Sequence, residues 1–480
     1  MHEPIAITVF LATLALTFGT AIYARIVSRG ASGEEDLAGR KLNRWQVGLS
    51  AATTGNSGFI VTGAVGLGFS GGAQWLLLPL GWLLGDLVYW SIFPDRINRL
   101  AREAHAVTLS ELLTHNLQGK VAQLISITVS LTLVAFLAAY TAAQWLAGQK
   151  FLSGVVPLSE LTAIAIFGST IVLYSAIGGF RGSVYVDTMQ AVIRVGGTIL
   201  ALWMVLQAAS AHSDTFWTNI QKAGPGFLNP FSGGLLASAS ILAGYGAASI
   251  GFGLGQPQII SRYMAGASPE ETKAARFIYI GFLQFTWLAM TAFGIILRGV
   301  LPGLDDPEKG LSVFFQSNVS AIATGIIFAD VFATIAGTSN GLIVAMSQTA
   351  RRDIFAPWFG DRILSPVWSM IVTLALGIGT ILLSFVLPGS VFTIAITAVS
   401  LIGAALAGVV MVKVFAWPHT ATSFVAAIVA GLAAASAWHA YGLSSYLNEA
   451  AVGIVASLAA NFLLCKLPDG SIGRRASDGR

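Results

Sequence analysis

The 480-residue chain holds one cysteine, Cys465, and little charge: Asp, Glu, Lys and Arg make up 10% of it. A lone cysteine excludes an intrachain disulfide framework and any multi-cysteine metal site. Its place in the last apolar stretch fits an inert packing thiol. Soluble domains carry about 25% charged residues, so the scarcity of charge excludes an ordinary soluble enzyme or binding domain. The longest polar stretches, near 28–45, 95–120, 262–276, 299–311 and the tail from 467, are too short for a catalytic or DNA-binding module. His2, His105, His115, His212, His419 and His439 are scattered and share no metal-ligand spacing. No nucleophile–base pair is visible, and the "GFGLG" run lacks the βαβ context of a nucleotide site. Nothing here points to an enzyme or to a bound cofactor. The net charge of +4 is spread between apolar runs, which reads as membrane topology and implies no nucleic-acid partner.

Apolar residues are what the chain has, at 55%, with a mean hydropathy of +0.75. That composition predicts an all-α polytopic protein with the lipid bilayer as its surroundings. A span needs about 20 mostly apolar residues. Thirteen stretches qualify: 5–27, 46–68, 74–95, 123–149, 159–179, 184–208, 234–255, 276–298, 318–348, 365–387, 391–415, 420–441 and 446–466. The first is longer than a signal-peptide core and reads as a retained helix. An odd number puts the termini on opposite sides. With the N-terminus outside and the C-terminus cytoplasmic, 21 of the 26 Lys and Arg residues fall on the cytoplasmic side and four (Lys150, Lys222, Arg298, Lys309) outside. Arg194 alone falls inside a span. The asymmetry follows the positive-inside rule and predicts a multi-pass protein of the cell (inner) membrane.

Two spans carry interruptions. The second contains "LSAATTGNSGF" (49–59), with Thr53, Thr54, Gly55, Asn56, Ser57 and Gly58 in a row. The seventh reads "AGYGAASIGFGLGQP", ending at Pro257. Polar groups and glycines in hydrocarbon are unfavourable unless they serve a site. Breaks at matched positions of two five-helix halves, spans 2–6 and 7–11, mark a midplane binding site. The spacing predicts unwinding near Gly55–Gly58 and Gly251–Gly255.

"LSAATTGNSG", "YSAIGGFRGSVYVDTMQ", "GQPQIISRYMAGAS" and "AWPHTATSFVAAIVAG" resemble signatures of the sodium:solute symporters, in order along nearly the whole chain. The resemblance implies a leucine-transporter-like 5+5 inverted repeat with one extra N-terminal and two extra C-terminal helices. The expected divisions are 1–45 for the first helix and its loop, 46–208 and 209–415 for the repeats, 416–466 for two trailing helices and 467–480 for a cytoplasmic tail. It also implies a sodium site between the second and ninth helices, built from Thr53, Asn56, Thr334 and positions 337 and 338. The family usually has two hydroxyl residues at the last pair. Here they are Gly337 and Thr338, so one side-chain ligand is missing. Position 55, often acidic in proline symporters, is Gly55, and Asp187 matches a family aspartate near the ion's exit route.

Ionisable groups inside spans are functional candidates by default. Asp330, Thr334, Gly337 and Thr338 share one helical face. Asp187 and Arg194 share another, about 10 Å apart along the axis, too far for a direct bond. Asp86 is a third buried carboxylate. These charges leave three possibilities open: a static pair, Arg194 standing in for sodium, or Asp330 coupling to protons. The coupling ion is thus Na+ or H+. By resemblance the solute contacts Ser57, Gly58 and Phe59, then Tyr140 and Gln144, then Ser249, Phe252 and Gly253. The aromatic residues that proline symporters carry on the seventh helix are missing, which argues against proline. A half-helix N-terminus favours an anionic group, so a small amino or organic acid is expected. The leading reading is ion-coupled symport by alternating access. The alternatives are a transporter-derived sensor acting with a separate signalling subunit, and an uncoupled facilitator.

Overall fold

The computed structural model describes residues 3–28, 35–117, 119–155, 159–317, 320–387 and 390–466. The expected tail 467–480, with Arg474, Arg475 and Arg480, lies outside the described residues, as does Arg29. Among the described residues the secondary structure is helical, apart from one isolated bridge between Leu42 and Gly266. The main helices are α1 (Glu3–Ser28), α2 (Arg44–Gly55), α3 (Gly58–Val61), α4 (Gly63–Gly71), α5 (Leu77–Ile92), α6 (Gly119–Val155), α7 (Glu160–Ala211) and α8 (Gly234–Gly255). They continue with α9 (Pro257–Ala265), α10 (Arg276–Val300), α11 (Ala321–Thr349), α12 (Pro366–Ser384), α13 (Val391–Val414), α14 (Ala421–Ala440) and α15 (Glu449–Leu464).

Among the described residues, ten helical stretches are long and apolar enough to cross a membrane. A count of thirteen needs finer divisions than length and composition supply. Helix α7 has 52 residues, about 78 Å at 1.5 Å per residue, more than twice the hydrocarbon thickness of about 30 Å. It bends at Gly179 (φ 58°, ψ −155°), a conformation that only glycine adopts readily. Helix α15 has only 16 residues.

The second span breaks where expected. An Asn43–Gln46 capping box starts α2. Asn56 (φ −90°, ψ 75°) leaves the helical region, and α3 restarts at Gly58 with Ser57 as its N-cap. The seventh span differs from the expectation. Gly251, Gly253 and Gly255 remain helical in α8, and the break falls at Gln256 (φ −91°, ψ 109°). Pro257 is the cause: it has no N–H, and it pushes the residue before it into an extended conformation. The glycines instead serve close packing. Gly251 abuts Gly403 of α13, and a Cβ on Gly253 would lie 2.5 Å from the Tyr89 ring. Helix α11 sits at the centre, packed on α1, α6 and α7, with every residue from Ile327 to Ala350 buried.

Candidate functional site

The break after α2 turns backbone carbonyls away from helical partners, and Arg194 of α7 meets them. Its Nη1 donates to the Thr53 carbonyl at 3.1 Å and its Nη2 to the Asn56 carbonyl at 2.9 Å. The guanidinium carbon lies 5.1 Å from the centre of the Phe282 ring. Arg194 is 1% exposed, so its charge is neutralised by these carbonyl dipoles, the ring and nearby carboxylates. Thr338 Oγ1 also donates to the Thr53 carbonyl, at 3.4 Å. Thr53, Asn56, Thr338 and Arg194 therefore converge on one point.

Asp330 stands within electrostatic reach of Arg194, yet among the described residues no ion pair joins them within 4.0 Å. Its Oδ1 accepts from Thr334 Oγ1 at 3.4 Å, while Oδ2 has no hydrogen-bond partner among the described residues. Gly197, three residues after Arg194, makes this approach possible: a Cβ there would clash with the Asp330 Cβ. Position 337 is similarly tight, since a Cβ on Gly337 would meet Thr53 Cγ2 at 2.6 Å. The same point lies 3.4 Å from Asp187 Oδ1 and 3.5 Å from Gln190 Oε1, two oxygens without hydrogen-bond partners among the described residues.

Asp187 is not joined to Arg194. Its Oδ2 takes Arg262 Nη2 at 3.1 Å, both side chains being fully buried, together with the hydroxyls of Ser50 (2.7 Å) and Thr54 (3.1 Å). Arg262 completes its shell on Ser183, Ser50 and the Gln258 carbonyl. Sequence reasoning counted Arg262 among the cytoplasmic-side residues and missed this pairing. The available signal was its place in "GQPQIISR", five residues past Pro257, on the helix that restarts after the second break.

Beside the first break lies a cavity of about 440 Å³ lined by Gly55, Ser57, Phe59, Ile60, Leu78, Trp82, Tyr140, Phe252, Trp287, Phe392, Ala395, Ile396 and Val399. Its rings form a continuous set: Phe59 is 5.5 Å from Trp287 and 5.1 Å from Phe392, and Trp82 is 5.5 Å from Phe252. Of the expected solute contacts, Ser57, Phe59, Tyr140 and Phe252 line this cavity. The other four are engaged behind it. Gly58 N–H donates to Gln144 Oε1 at 2.8 Å, Ser249 Oγ donates to Asp86 Oδ1 at 2.6 Å, and Tyr89 OH donates to the Gly253 carbonyl at 2.9 Å. Trp82, Trp287 and Phe392 were not singled out from the sequence, because a scattered aromatic in an apolar span is indistinguishable there from a lipid-facing one.

Comparison with known proteins identifies the family and the fold. The profile of the sodium:solute symporter family matches residues 37–432. The high-affinity proline transporter PutP of Bacillus subtilis is 26% identical over 446 residues, covering 89% of this chain and 91% of that protein. The sodium/pantothenate symporter of Escherichia coli is 28% identical over 377 residues, 76% of each. Among solved structures, a substrate-bound, outward-open Na+-coupled sialic acid symporter superposes with a TM-score of 0.79 at 17% identity, covering 96% of this chain and 97% of that one. MhsT in complex with L-phenylalanine gives 0.53 at 16% identity. With the match running through most of its length, the chain belongs to the sodium:solute symporter family and is a secondary active transporter coupling a small solute to an ion.

Proposed function

We propose that the chain is a cell-membrane symporter, N-terminus outside and C-terminus cytoplasmic, in which Arg194 takes sodium's place at the break in the second span and Asp330 carries a coupling proton. The pair of hydrogen bonds from Arg194 to the carbonyls of Thr53 and Asn56 carries this reading. Those oxygens are the ones that the family resemblance gives to sodium. A guanidinium supplies the same positive charge, permanently and on a tether. It cannot dissociate into either compartment, so it does not itself couple transport to a gradient.

Coupling then needs a neighbour that gains and loses an ion. Asp330 is buried, near Arg194, and holds one oxygen free of partners among the described residues. With a proton on Asp330, the guanidinium stays on the carbonyls and the break keeps its shape. Without the proton, the carboxylate competes for Arg194 and draws it off α2. Proton binding and the geometry of the solute pocket thereby share one equilibrium, which is what coupling requires. The solute occupies the aromatic cavity. The cavity is mostly apolar, with hydroxyls at Ser57 and Tyr140, so a small amino or organic acid with an apolar body fits best, its polar end toward those two residues.

One observation favours a second reading. Asp187 Oδ1 and Gln190 Oε1 face the Gly337 position without partners among the described residues, a pairing suited to a residual sodium site. Uptake into proteoliposomes under imposed proton or sodium gradients separates the two. Proton-driven accumulation that persists without sodium supports the first reading. Strict sodium dependence overturns it.

A further inference from the structure

A second cavity lies away from the transport path, between the end of α1, the bend of α7 and the end of α11. It also measures about 440 Å³, and its lining includes Arg25, Arg181, Arg351, Asp36, Gln348 and Gly179. Three arginines and one carboxylate line it, and that carboxylate is already spent. Asp36 Oδ1 accepts from Arg351 Nη2 at 3.1 Å and Oδ2 from Arg352 Nε at 2.6 Å. Burial alone would raise the Asp36 carboxyl, but the two arginines outweigh it and hold the group below its ordinary value. It stays ionised and fully engaged, and it has no oxygen left for the other cations.

Asp36 therefore leaves Arg25 and Arg181 without a carboxylate among the described residues. Among the described residues neither forms an ion pair, and Arg181 makes only a 3.4 Å hydrogen bond to the Val27 carbonyl. Arg351 is 2% exposed, and its Nε has no hydrogen-bond partner among the described residues. A buried guanidinium nitrogen without an acceptor is unfavourable, and here Arg351 lines a cavity that it shares with Arg25 and Arg181. The backbone adds to this field. At Gly179 the helical geometry is interrupted, so the segment from Phe180 onward begins a new helical run whose positive end borders the cavity. A Cβ on Gly179 would meet nothing within 4 Å, which leaves that backbone open to a ligand. The flanking turn of α1 exposes Ile22, Tyr23, Ile26 and Val27, an apolar surface suited to acyl chains.

We propose that this cavity binds a phosphoryl anion, supplied by the headgroup of an anionic phospholipid whose acyl chains lie along the end of α1. Guanidinium groups match phosphate oxygens in geometry and charge. Basic pockets between membrane helices bind anionic headgroups in the same way. Bound there, the phosphate ties together α1, the bend of α7 and the end of α11. It would therefore stabilise the assembled bundle. The inference rests on the membrane fold alone, so its failure would leave the coupling reading untouched.

The test is thermal unfolding of the purified full chain in detergent with phosphatidylcholine, titrated with dioleoylphosphatidylglycerol and, in a separate arm, with inorganic phosphate. A saturable rise in Tm with phosphatidylglycerol is expected. The combined Arg25→Gln and Arg181→Gln variant should move its midpoint about thirtyfold higher. Neither residue is fully buried, so its Tm in phosphatidylcholine alone should match the unmodified chain and serves as the folding control. A saturable rise with phosphate alone that the variant loses would assign the site to a soluble phosphoryl anion and still support it. No rise in either arm, or an equal rise in the chain and its variant, would overturn the proposal.

Discussion

Replacing Arg194 with alanine isolates the central claim, because the side chain makes two defined bonds and one ring contact. Each charge-assisted hydrogen bond contributes about 1.5–3 kcal/mol. Removing one member of a buried charged set lowers stability by about 3–5 kcal/mol in total, leaving the Thr53 and Asn56 carbonyls without this donor and Asp330 without its neighbouring cation. The space vacated is bordered by those two carbonyls, Thr338 Oγ1 and Asp330, an all-oxygen set suited to a small monovalent cation. Sodium at one hundred times its Kd would restore about 2.7 kcal/mol, more than half of the loss. Thermal unfolding in sodium chloride against choline chloride at equal ionic strength reads this directly. The unmodified chain should show no sodium-specific shift attributable to this site, whereas Arg194→Ala should show a saturable rise of a few degrees. Adding Gly337→Ser to Arg194→Ala supplies the missing hydroxyl and should lower the sodium midpoint. Gly337→Ser alone should only destabilise, because its Cβ would meet Thr53 Cγ2 at 2.6 Å. A saturable sodium response in the unmodified chain that Arg194→Ala abolishes would refute the replacement of sodium by arginine.

Asp330→Asn keeps the shape of the carboxylic acid but cannot release a proton; solute exchange across proteoliposomes should survive while accumulation driven by a proton gradient is lost. Normal accumulation in that variant would remove Asp330 from the coupling. Gly58→Val would place a Cβ 2.7 Å from the Ala147 Cβ and 3.0 Å from Ile335 Cγ1, so overpacking should lower stability by about 1–3 kcal/mol; an unchanged Tm would contradict the packing described. The lowered carboxyl of Asp36 adds stability in full above the unfolded value of about 3.9, and this is lost as the pH falls through the lower native value. The Tm gap between the unmodified chain and Asp36→Asn should therefore be constant near neutrality and close on acidification below about pH 4; a gap that widens in acid would show the sign to be wrong.

The break in the second span was legible because it is written in residue types: six small or polar residues in a row cannot be reconciled with an ordinary lipid-facing helix. The seventh span was harder. Its glycines are as conspicuous as those of the second, but Gly251 and Gly253 answer to Gly403 and Tyr89, partners far away in the chain. Only Pro257 carries a local signal for the break, and it acts on Gln256. The charges divide in the same way. Arg194 stood out because it lies within an apolar run. Arg262 did not, since it follows one, and only the packing of α9 against α2 brings it to Asp187.

The two buried arginines differ in what they are free to do. Helix α2 is held by both: Arg262 through Ser50, and Arg194 through the carbonyls at the break. Arg262 has a carboxylate of its own and bonds to three serine hydroxyls and a carbonyl besides. Moving it would strand Asp187 and several hydroxyls together, so it acts as a fixed clamp. Arg194 has an unpartnered Nε, no ion pair within bonding distance, and Asp330 beside it with an oxygen free of partners among the described residues. On the proposed reading it has two places to put its charge, the carbonyls at the break and Asp330, and a proton on Asp330 selects between them. A fixed cation at the middle of α2 and, in the proposed mechanism, a movable one at the break would give the helix a pivot and a latch. That arrangement would let a proton on Asp330 alter the pocket beside Ser57 without disturbing the rest of the fold.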